Sequence, residues 1–535
     1  MVFPRITLPA ISRSLLIIIS AALLTLLYNQ TYFQHLVSIY PLNAENAVFL
    51  ASLPLLQFFL CVLLLSLLRV GFLFKPALAL MFILSALAAY FMDSYDTVID
   101  ADMLQNVAQT NIEESMDLFS WTLVGYVFVL GLLPVFLIII TPLKTTGISR
   151  ELFSMLKLLA TSVLGIILII FLLYKPYASF FREHKPLRAY SNPLYWVYST
   201  ARFVQAQTAA TPGEIAPVGK DAHIVQRHPD RELIILVVGE TARADHFSLN
   251  GYPRETNPLL KQEKLVNFTQ VSACGTSTAI SVPCMFSVLN QSDFSYSEAR
   301  QRENLLDVLT HAGVFVLWRD NNSSSKGVAD RVTYENYRDP ANNPVCDVEC
   351  RDEGMLVGLQ QVIDSHPAGD IFIVLHQMGN HGPAYYKRYP ENFEVFTPTC
   401  RSAELKQCTE QEINNAYDNA LRYTDYFLSK TIQLLKQNST HFETAMLYVS
   451  DHGESLGENG LYLHGLPDFI APDSQTHVPA LLWIGDSYLD IDHQAIQRKA
   501  DLPLSHDHLF HTLLGLFEIN SEVHEESLDI LSDSW

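Results

Sequence analysis

Leu233-Ile234-Ile235-Leu236-Val237-Val238-Gly239-Glu240 decides the fold: six apolar, strand-forming residues in a row, closed by a glycine and a carboxylate. Val314–Trp318, Ile371–Leu375, Ala445–Val449 and Ala480–Ile484 are runs of the same kind, and helical patterns lie between them. Short apolar runs alternating with helices predict an α/β domain with a parallel sheet covered on both faces. Four of the runs stop at polar residues: Gly239-Glu240, Arg319-Asp320-Asn321, His376-Gln377 and Ser450-Asp451-His452. Open α/β sheets place their sites at the carboxyl ends of strands, so these groups are predicted to converge although they lie far apart in sequence.

Among them are metal-type side chains. Glu240, Asp451 and His452 offer oxygen and nitrogen ligands of the kind zinc takes in a tetrahedral shell. A lone Asp-His pair is weak evidence and a strand-end Glu is commonly a helix cap; their shared sheet edge is the discriminating feature. The loop Cys274-Gly275-Thr276-Ser277-Thr278 runs into the apolar segment Ala279 to Leu289, which puts Thr278 where a helix begins. Free N–H groups and the helix dipole there favour an alkoxide or a phosphate. Thr278 is thus a candidate nucleophile and fourth ligand, a zinc-activated threonine. His381 and His464 sit in glycine-punctuated loops, where either is suited to bind phosphate, hold a second metal or protonate a leaving alkoxide. Each alone reads as a surface histidine; beside the other residues each reads as functional. His376 ends a strand and belongs to the core or supports the site, and Lys326 either holds a phosphate or head group or is solvated.

The first part of the chain is of another character. Up to about Tyr174 it is dominated by Leu, Ile, Phe, Val and Ala, with spans near 14–34, 47–68, 76–92, 121–140 and 152–174. Each has roughly the 20 residues a membrane helix needs. Pro54 and Pro134 are tolerable inside them because neighbouring helices satisfy the freed carbonyls. Arg5, Arg13, Arg69, Lys75, Lys144 and Arg150 occupy alternate loops, while the loop from Asp93 to Ser120 is acidic and holds no Lys or Arg. By the positive-inside rule the N-terminus is cytoplasmic and, after five crossings, the remainder lies outside. Lys175, Arg182, Lys185 and Arg188 do not reverse this, because the rule weakens for long external domains. The domains expected are 1–178, five membrane helices; 179–230, an interfacial helix rich in aromatics and a linker; and 231–535, catalytic. Of seven cysteines Cys61 lies in span two. Local pairing of the other six is the simplest of many connectivities in an oxidising compartment, and no spacing matches a C-x2-C zinc pair. The formal net charge of -21 argues against a nucleic-acid binder.

Val238-Gly239-Glu240-Thr241-Ala242-Arg243-Ala244-Asp245-His246, Cys274 to Ala279, Val282-Pro283-Cys284-Met285-Phe286, His381-Gly382-Pro383 and Ser450 to Ser455 resemble the motifs of bacterial phosphoethanolamine–lipid A transferases, the polymyxin-resistance type. The five-span domain matches too, so the resemblance covers essentially the whole chain. It implies an alkaline phosphatase/sulfatase-like periplasmic domain in which Glu240, Thr278, Asp451 and His452 bind zinc and Thr278 becomes phosphoethanolaminated. His381 and His464 match positions for a second zinc or for substrate. Asn322, Lys326 and Thr276 are implied as substrate contacts, with Asn106, Asn111 and Glu114 of the acidic loop helping to bind the lipid donor. Disulfides Cys274–Cys284, Cys346–Cys350 and Cys400–Cys408 are likewise implied. The expected partners are phosphatidylethanolamine, lipid A and the inner membrane, and the expected state is a monomer. Rival readings are transfer to a lipopolysaccharide core sugar or a periplasmic glucan, a phosphodiesterase or sulfatase using water, and a non-catalytic membrane scaffold.

Overall fold

The computed structural model describes the chain except residues 1–8, 70, 111, 210–214, 226–229, 489–490 and 533–535, and the side chains of 113, 114 and 209. It divides into two compact units, one of residues 1–104 and 119–203, the other of residues 105–118 and 204–535.

In the first unit, Ala47–Leu67, Gly71–Tyr95, Trp121–Ile140 and Ile148–Leu172 are long and apolar enough to cross a membrane. Arg13–Leu27 and Gln30–Ile39, bent by 56° at the break between them, make a fifth span if taken together. Pro134 has no N–H and its ring displaces the carbonyl one turn earlier, and the helix answers with a π segment at Val127–Leu132. The carbonyl of Leu130 accepts a hydrogen bond from the hydroxyl of Tyr28, the residue that ends helix Arg13–Leu27. A buried amide network ties the connector to this bundle. Asn29 Nδ2 donates to Asn192 O at 2.8 Å, and Gln57 Nε2 to Asn29 Oδ1 at 2.7 Å. Tyr190 and Trp196 are buried in the same unit whereas Tyr198 is exposed.

The second unit is built on an eight-stranded sheet. Its strands are β1 (Arg231–Gly239), β2 (Leu265–Ser272), β3 (Phe315–Asp320), β4 (Thr333–Asn336), β5 (Ile371–His376), β6 (Phe442–Ser450), β7 (His477–Ile484) and β8 (Leu504–Ser505). Their order across the sheet is β8-β2-β7-β6-β1-β5-β3-β4. The five strands from β6 to β4 are parallel. The sheet is mixed rather than wholly parallel, because β7 runs antiparallel to both β6 and β2. Two reversals leave β2 pointing the same way as β1, so the carboxyl ends of β1, β2, β3, β5 and β6 share one edge.

β1 shows why the sequence reads as it does. Ile234, Leu236 and Val238 enter one core, with helices Leu305–His311 and Asp507–Leu516. Leu233, Ile235 and Val237 enter the other, with the 29-residue helix Glu410–Asn438. A strand at the centre of two cores has no solvent face and therefore no polar alternation. The six paired cysteines form Cys274–Cys284, which joins a loop to the end of helix Thr278–Met285, and the loop bridges Cys346–Cys350 and Cys400–Cys408, while Cys61 is free and buried. Leu236, with no exposed surface, carries the packing argument: Leu236→Ala is expected to destabilise the second unit by about 2–5 kcal/mol. Chemical denaturation of the purified protein followed by tryptophan fluorescence measures it.

Candidate active site

Register brings the polar strand ends together before any side chain is considered. Gly239 of β1 pairs with Ser450 of β6, Val238 with His376 of β5, and His376 with Asp320 of β3. Glu240, Asp451 and His452 therefore leave adjacent strands at one level. Thr278 arrives from β2 as the first residue of helix Thr278–Met285, with Ser277 as its cap residue. Its side chain then faces a preformed cluster and the positive end of a helix.

Thr278 Oγ1 donates to Glu240 Oε2 at 3.0 Å and lies 3.4 Å from His452 Nε2. Asn322 Nδ2 donates to the same Glu240 oxygen at 2.6 Å. The ligand atoms of Glu240, Asp451 and His452 all lie within 4.8 Å of one another. His452 Nδ1 faces the Gly453 carbonyl at 2.8 Å, which places the proton on that nitrogen and leaves the Nε2 lone pair for the cluster. Glu240 Oε1 and Asp451 Oδ2 are buried and accept no hydrogen bond. Burial, and then its neighbour Asp451, push Glu240 up to about 7; burial pushes Asp451 up to about 6. Two buried carboxylates with bare oxygens beside an imidazole lone pair fit a divalent cation, which reverses both shifts by compensating the negative charge.

The histidines of the glycine-rich loops join this cluster. The rings of His464 and His452 are 4.4 Å apart, and those of His464 and His381 5.8 Å. His464 Nδ1 pairs with Glu454 Oε1 at 3.0 Å. Burial pulls the imidazole toward its neutral form, but Glu454 outweighs it and raises His464 to about 9. Thr276 directs its hydroxyl to Leu466 O at 2.7 Å and its carbonyl accepts from Gly465 N, so it ties the nucleophile loop to the His464 loop. Lys326 Nζ donates to Ser323 Oγ at 2.6 Å and is buried. Asn106 is half-buried on the short helix Ala101–Gln109; Asn111 and the Glu114 side chain lie outside the described residues.

Three supporting residues have no role assigned by the sequence, although Asp320 stands there among the polar strand ends and Glu454 within the Ser450 to Ser455 motif. Glu454, two residues beyond His452, is one. Asp320 is the second: its Oδ2 lies 3.0 Å from His376 Nδ1 and its Oδ1 accepts from Asn322 N, which orients the Asn322 amide. His506 is the third. The Cys274 N–H donates to its Nδ1 at 3.1 Å, and its Nε2 faces the Ser450 carbonyl at 3.0 Å, linking the nucleophile loop to the end of β6. No spacing marks it, since 232 residues separate His506 from Cys274. Gly453 has its own reason: a Cβ there would lie 2.1 Å from the Ser474 carbonyl oxygen.

A family model described as Sulfatase matches residues 232–519, and one described as Phosphoethanolamine transferase EptA/EptB matches residues 57–208. The chain is 43% identical over 505 residues to phosphatidylethanolamine transferase Mcr-2 of Escherichia coli, covering 92% of this chain and 93% of that protein. It is 39% identical over 535 residues to phosphoethanolamine transferase EptA of Escherichia coli K12, with 98% and 97% covered. The integral membrane lipooligosaccharide phosphoethanolamine transferase A of Neisseria meningitidis matches with a TM-score of 0.94 at 36% identity, over 98% of this chain and 99% of that one.

Burial pushes His506 down to about 4. An unfolded histidine takes up its proton near 6.5, so between about 6.5 and 4 the unfolded chain binds more protons than the folded one. This contribution to stability is present above about pH 6.5 and is lost as the pH falls toward 4. Melting temperatures of the protein and of His506→Gln across that range are expected to converge at the acid end; a constant gap would contradict the neutral bridge.

Proposed function

Because the chain belongs to the phosphoethanolamine transferase family described as EptA/EptB, with a sulfatase-type domain following its membrane helices, we propose that it transfers phosphoethanolamine from phosphatidylethanolamine to lipid A. The observation that carries this is Thr278, a hydroxyl at a helix start 3.0 Å from a buried glutamate whose second oxygen is bare. The names of the relatives supply the donor group, and the lipooligosaccharide of the Neisseria protein is an acceptor of the same class. The reaction takes place at the outer face of a bacterial inner membrane, with the N-terminus cytoplasmic.

Glu240, Asp451 and His452, with Thr278, are the residues that would hold zinc, and their oxygen and nitrogen donors suit it. Such an ion, when bound, acidifies the threonine hydroxyl and offsets charge on the phosphoryl oxygens. The remaining chemistry belongs to the side chains. Thr278 Oγ1 attacks phosphorus, the bond to the diacylglycerol oxygen breaks, and phosphoethanolamine is carried as a threonine phosphodiester. His464, held charged by Glu454, supplies the proton that the departing alkoxide needs. A phosphate oxygen of lipid A then attacks the same phosphorus and the Thr278 oxygen leaves. The covalent intermediate lets one site serve two lipids in turn. Asn322, directed at the glutamate next to the nucleophile, and His381 line the space where the head group sits. Added ammonium groups lower the anionic charge that attracts cationic peptides, and polymyxin resistance follows.

In a Gram-negative host lacking its own such enzymes, the chain is expected to add phosphoethanolamine to lipid A, seen by mass spectrometry. Thr278→Ala is expected to reduce the adduct by at least about 10³-fold. Unmodified lipid A from correctly inserted protein would move the acceptor to a core sugar or glucan. A second prediction concerns the metal: the purified protein is expected to retain zinc by elemental analysis, and Asp451→Asn with His452→Ala to lose it. Chelation is expected to abolish transfer and added zinc to restore it.

A further inference from the structure

We infer that Asp117 is a positioning residue for the lipid donor, pinning Gln105–Leu118 against the loop that carries His381. The inference rests on the donor reading proposed above and on the lipid-donor contacts that the resemblance implies for this segment. The chain passes from the first compact unit to the second at residue 105 and returns at residue 119, so this stretch belongs to the unit that holds the candidate site although it lies between membrane helices in sequence.

Asp117 is what holds it. Its Oδ1 accepts from Lys387 Nζ at 2.6 Å and its Oδ2 from Arg388 Nη2 at 2.7 Å. Arg388 is almost fully buried. Its Nε donates to the His381 carbonyl at 2.6 Å, and its Nη1 pairs with Glu349. One guanidinium thus joins the backbone of a site histidine to a carboxylate of the acidic segment, and its planar fork fixes both directions at once. Burial works against ionisation of Asp117, but Arg388 and Lys387 outweigh it and hold the carboxyl below its usual range. Asp117, Asn322, Met378, His381, Arg388 and Arg338 line one small pocket, which puts the clamp beside the head-group space. Further along, Gln109 Nε2 donates to the Tyr296 hydroxyl at 2.5 Å, and Gln207 Nε2 to Gln105 Oε1 at 2.8 Å. Asn106 lies between these two anchors. Solvent-exposed ion pairs hold little, but here Arg388 is shielded and loss of its partner leaves a buried charge short of a contact.

The test uses the full-length protein in mixed micelles with phosphatidylethanolamine as donor and purified lipid A as acceptor. Asp117→Asn is expected to raise KM for the donor about tenfold while kcat falls less than threefold. Asp117→Glu is expected to restore most of the loss. The exchange Asp117→Lys with Lys387→Asp is expected to recover part of what either single change removes. Hydrogen–deuterium exchange, which needs no turnover, is expected to quicken across 105–118 in Asp117→Asn and to stay unchanged over 278–285. An unchanged KM overturns the inference. So does a parallel fall of kcat and kcat/KM with a lowered melting temperature and no rescue. If the parent protein shows no transfer, the donor reading falls with this role; exchange that quickens in the variant then locates the failure in the donor, and exchange that does not shows that the clamp is absent as well.

Discussion

Two carboxylates, Glu240 and Asp451, are buried side by side at the carboxyl edge of the sheet, each with an oxygen that no hydrogen bond reaches. The rest of the structure depends on that arrangement. Burial opposes ionisation of both, which is why both groups are raised, with the Asp451 charge adding to the shift of Glu240, and a fold accepts such a pair only if something positive compensates it. Thr278 and Asn322 supply partial compensation by hydrogen bonding to Glu240, and the imidazole lone pair of His452 completes a ligand set. Around this core the fold is a device for alignment. Parallel strands bring Glu240, Asp320, His376 and Asp451 to one level, and β2 delivers the nucleophile to the same edge because β7 reverses between it and β6.

What the sequence makes legible follows from which interactions are local. β1, β3, β5 and β6 are readable as apolar runs because they are buried on both faces, and their polar ends point to the site. β2 is different. Leu265 to Thr269 alternates with Val266 and Phe268 inward, and a register shift then leaves Gln270 outward and Val271 inward, so a search for unbroken apolar runs passes over it. The antiparallel direction of β7 is invisible for a related reason: Ala480–Ile484 has the composition of its parallel neighbours, and direction is set by connections rather than by residue type. Glu240, Thr278, Asp451 and His452 were legible by position. His506 was not, and Asp320 and Glu454 were visible only as a strand end and a motif residue without a role, because a residue that orients a ligand through a hydrogen bond leaves no spacing rule behind.

The membrane unit shows the same division. Its spans are visible from hydropathy, and the effect of Pro134 on the helix can be anticipated from missing backbone donors. The amide network of Asn29, Gln57 and Asn192 cannot, since single polar residues in apolar helices reveal neither each other nor their partners. Its consequence is mechanical. Asn192 follows the last membrane span, and its buried bonds hold the start of the connector to the bundle instead of leaving it as a free tether.

A nucleophile proposed to serve two different lipids meets a geometric demand that a hydrolase escapes, because water reaches almost any site and a lipid head group does not. Thr278 cannot turn to meet its substrates: it is 4% exposed, begins a helix, and is bound to Glu240 while the following turn is closed by bonds to Ser277 O. On the proposed reading both substrates present phosphorus, or the oxygen that attacks it, to a hydroxyl fixed in place. The burden of selection then falls on groups outside the Glu240, Asp451 and His452 cluster, where Asn322, His381, Arg338 and Arg388 surround a pocket with one carboxylate, Asp117, in its wall. Such a mixed environment suits a zwitterionic head group, whose phosphate and ammonium require opposite charges within a few ångströms of each other. A chain with a net charge of -21 does not attract anionic lipid by its overall field, so recognition has to be concentrated in local cations of this kind.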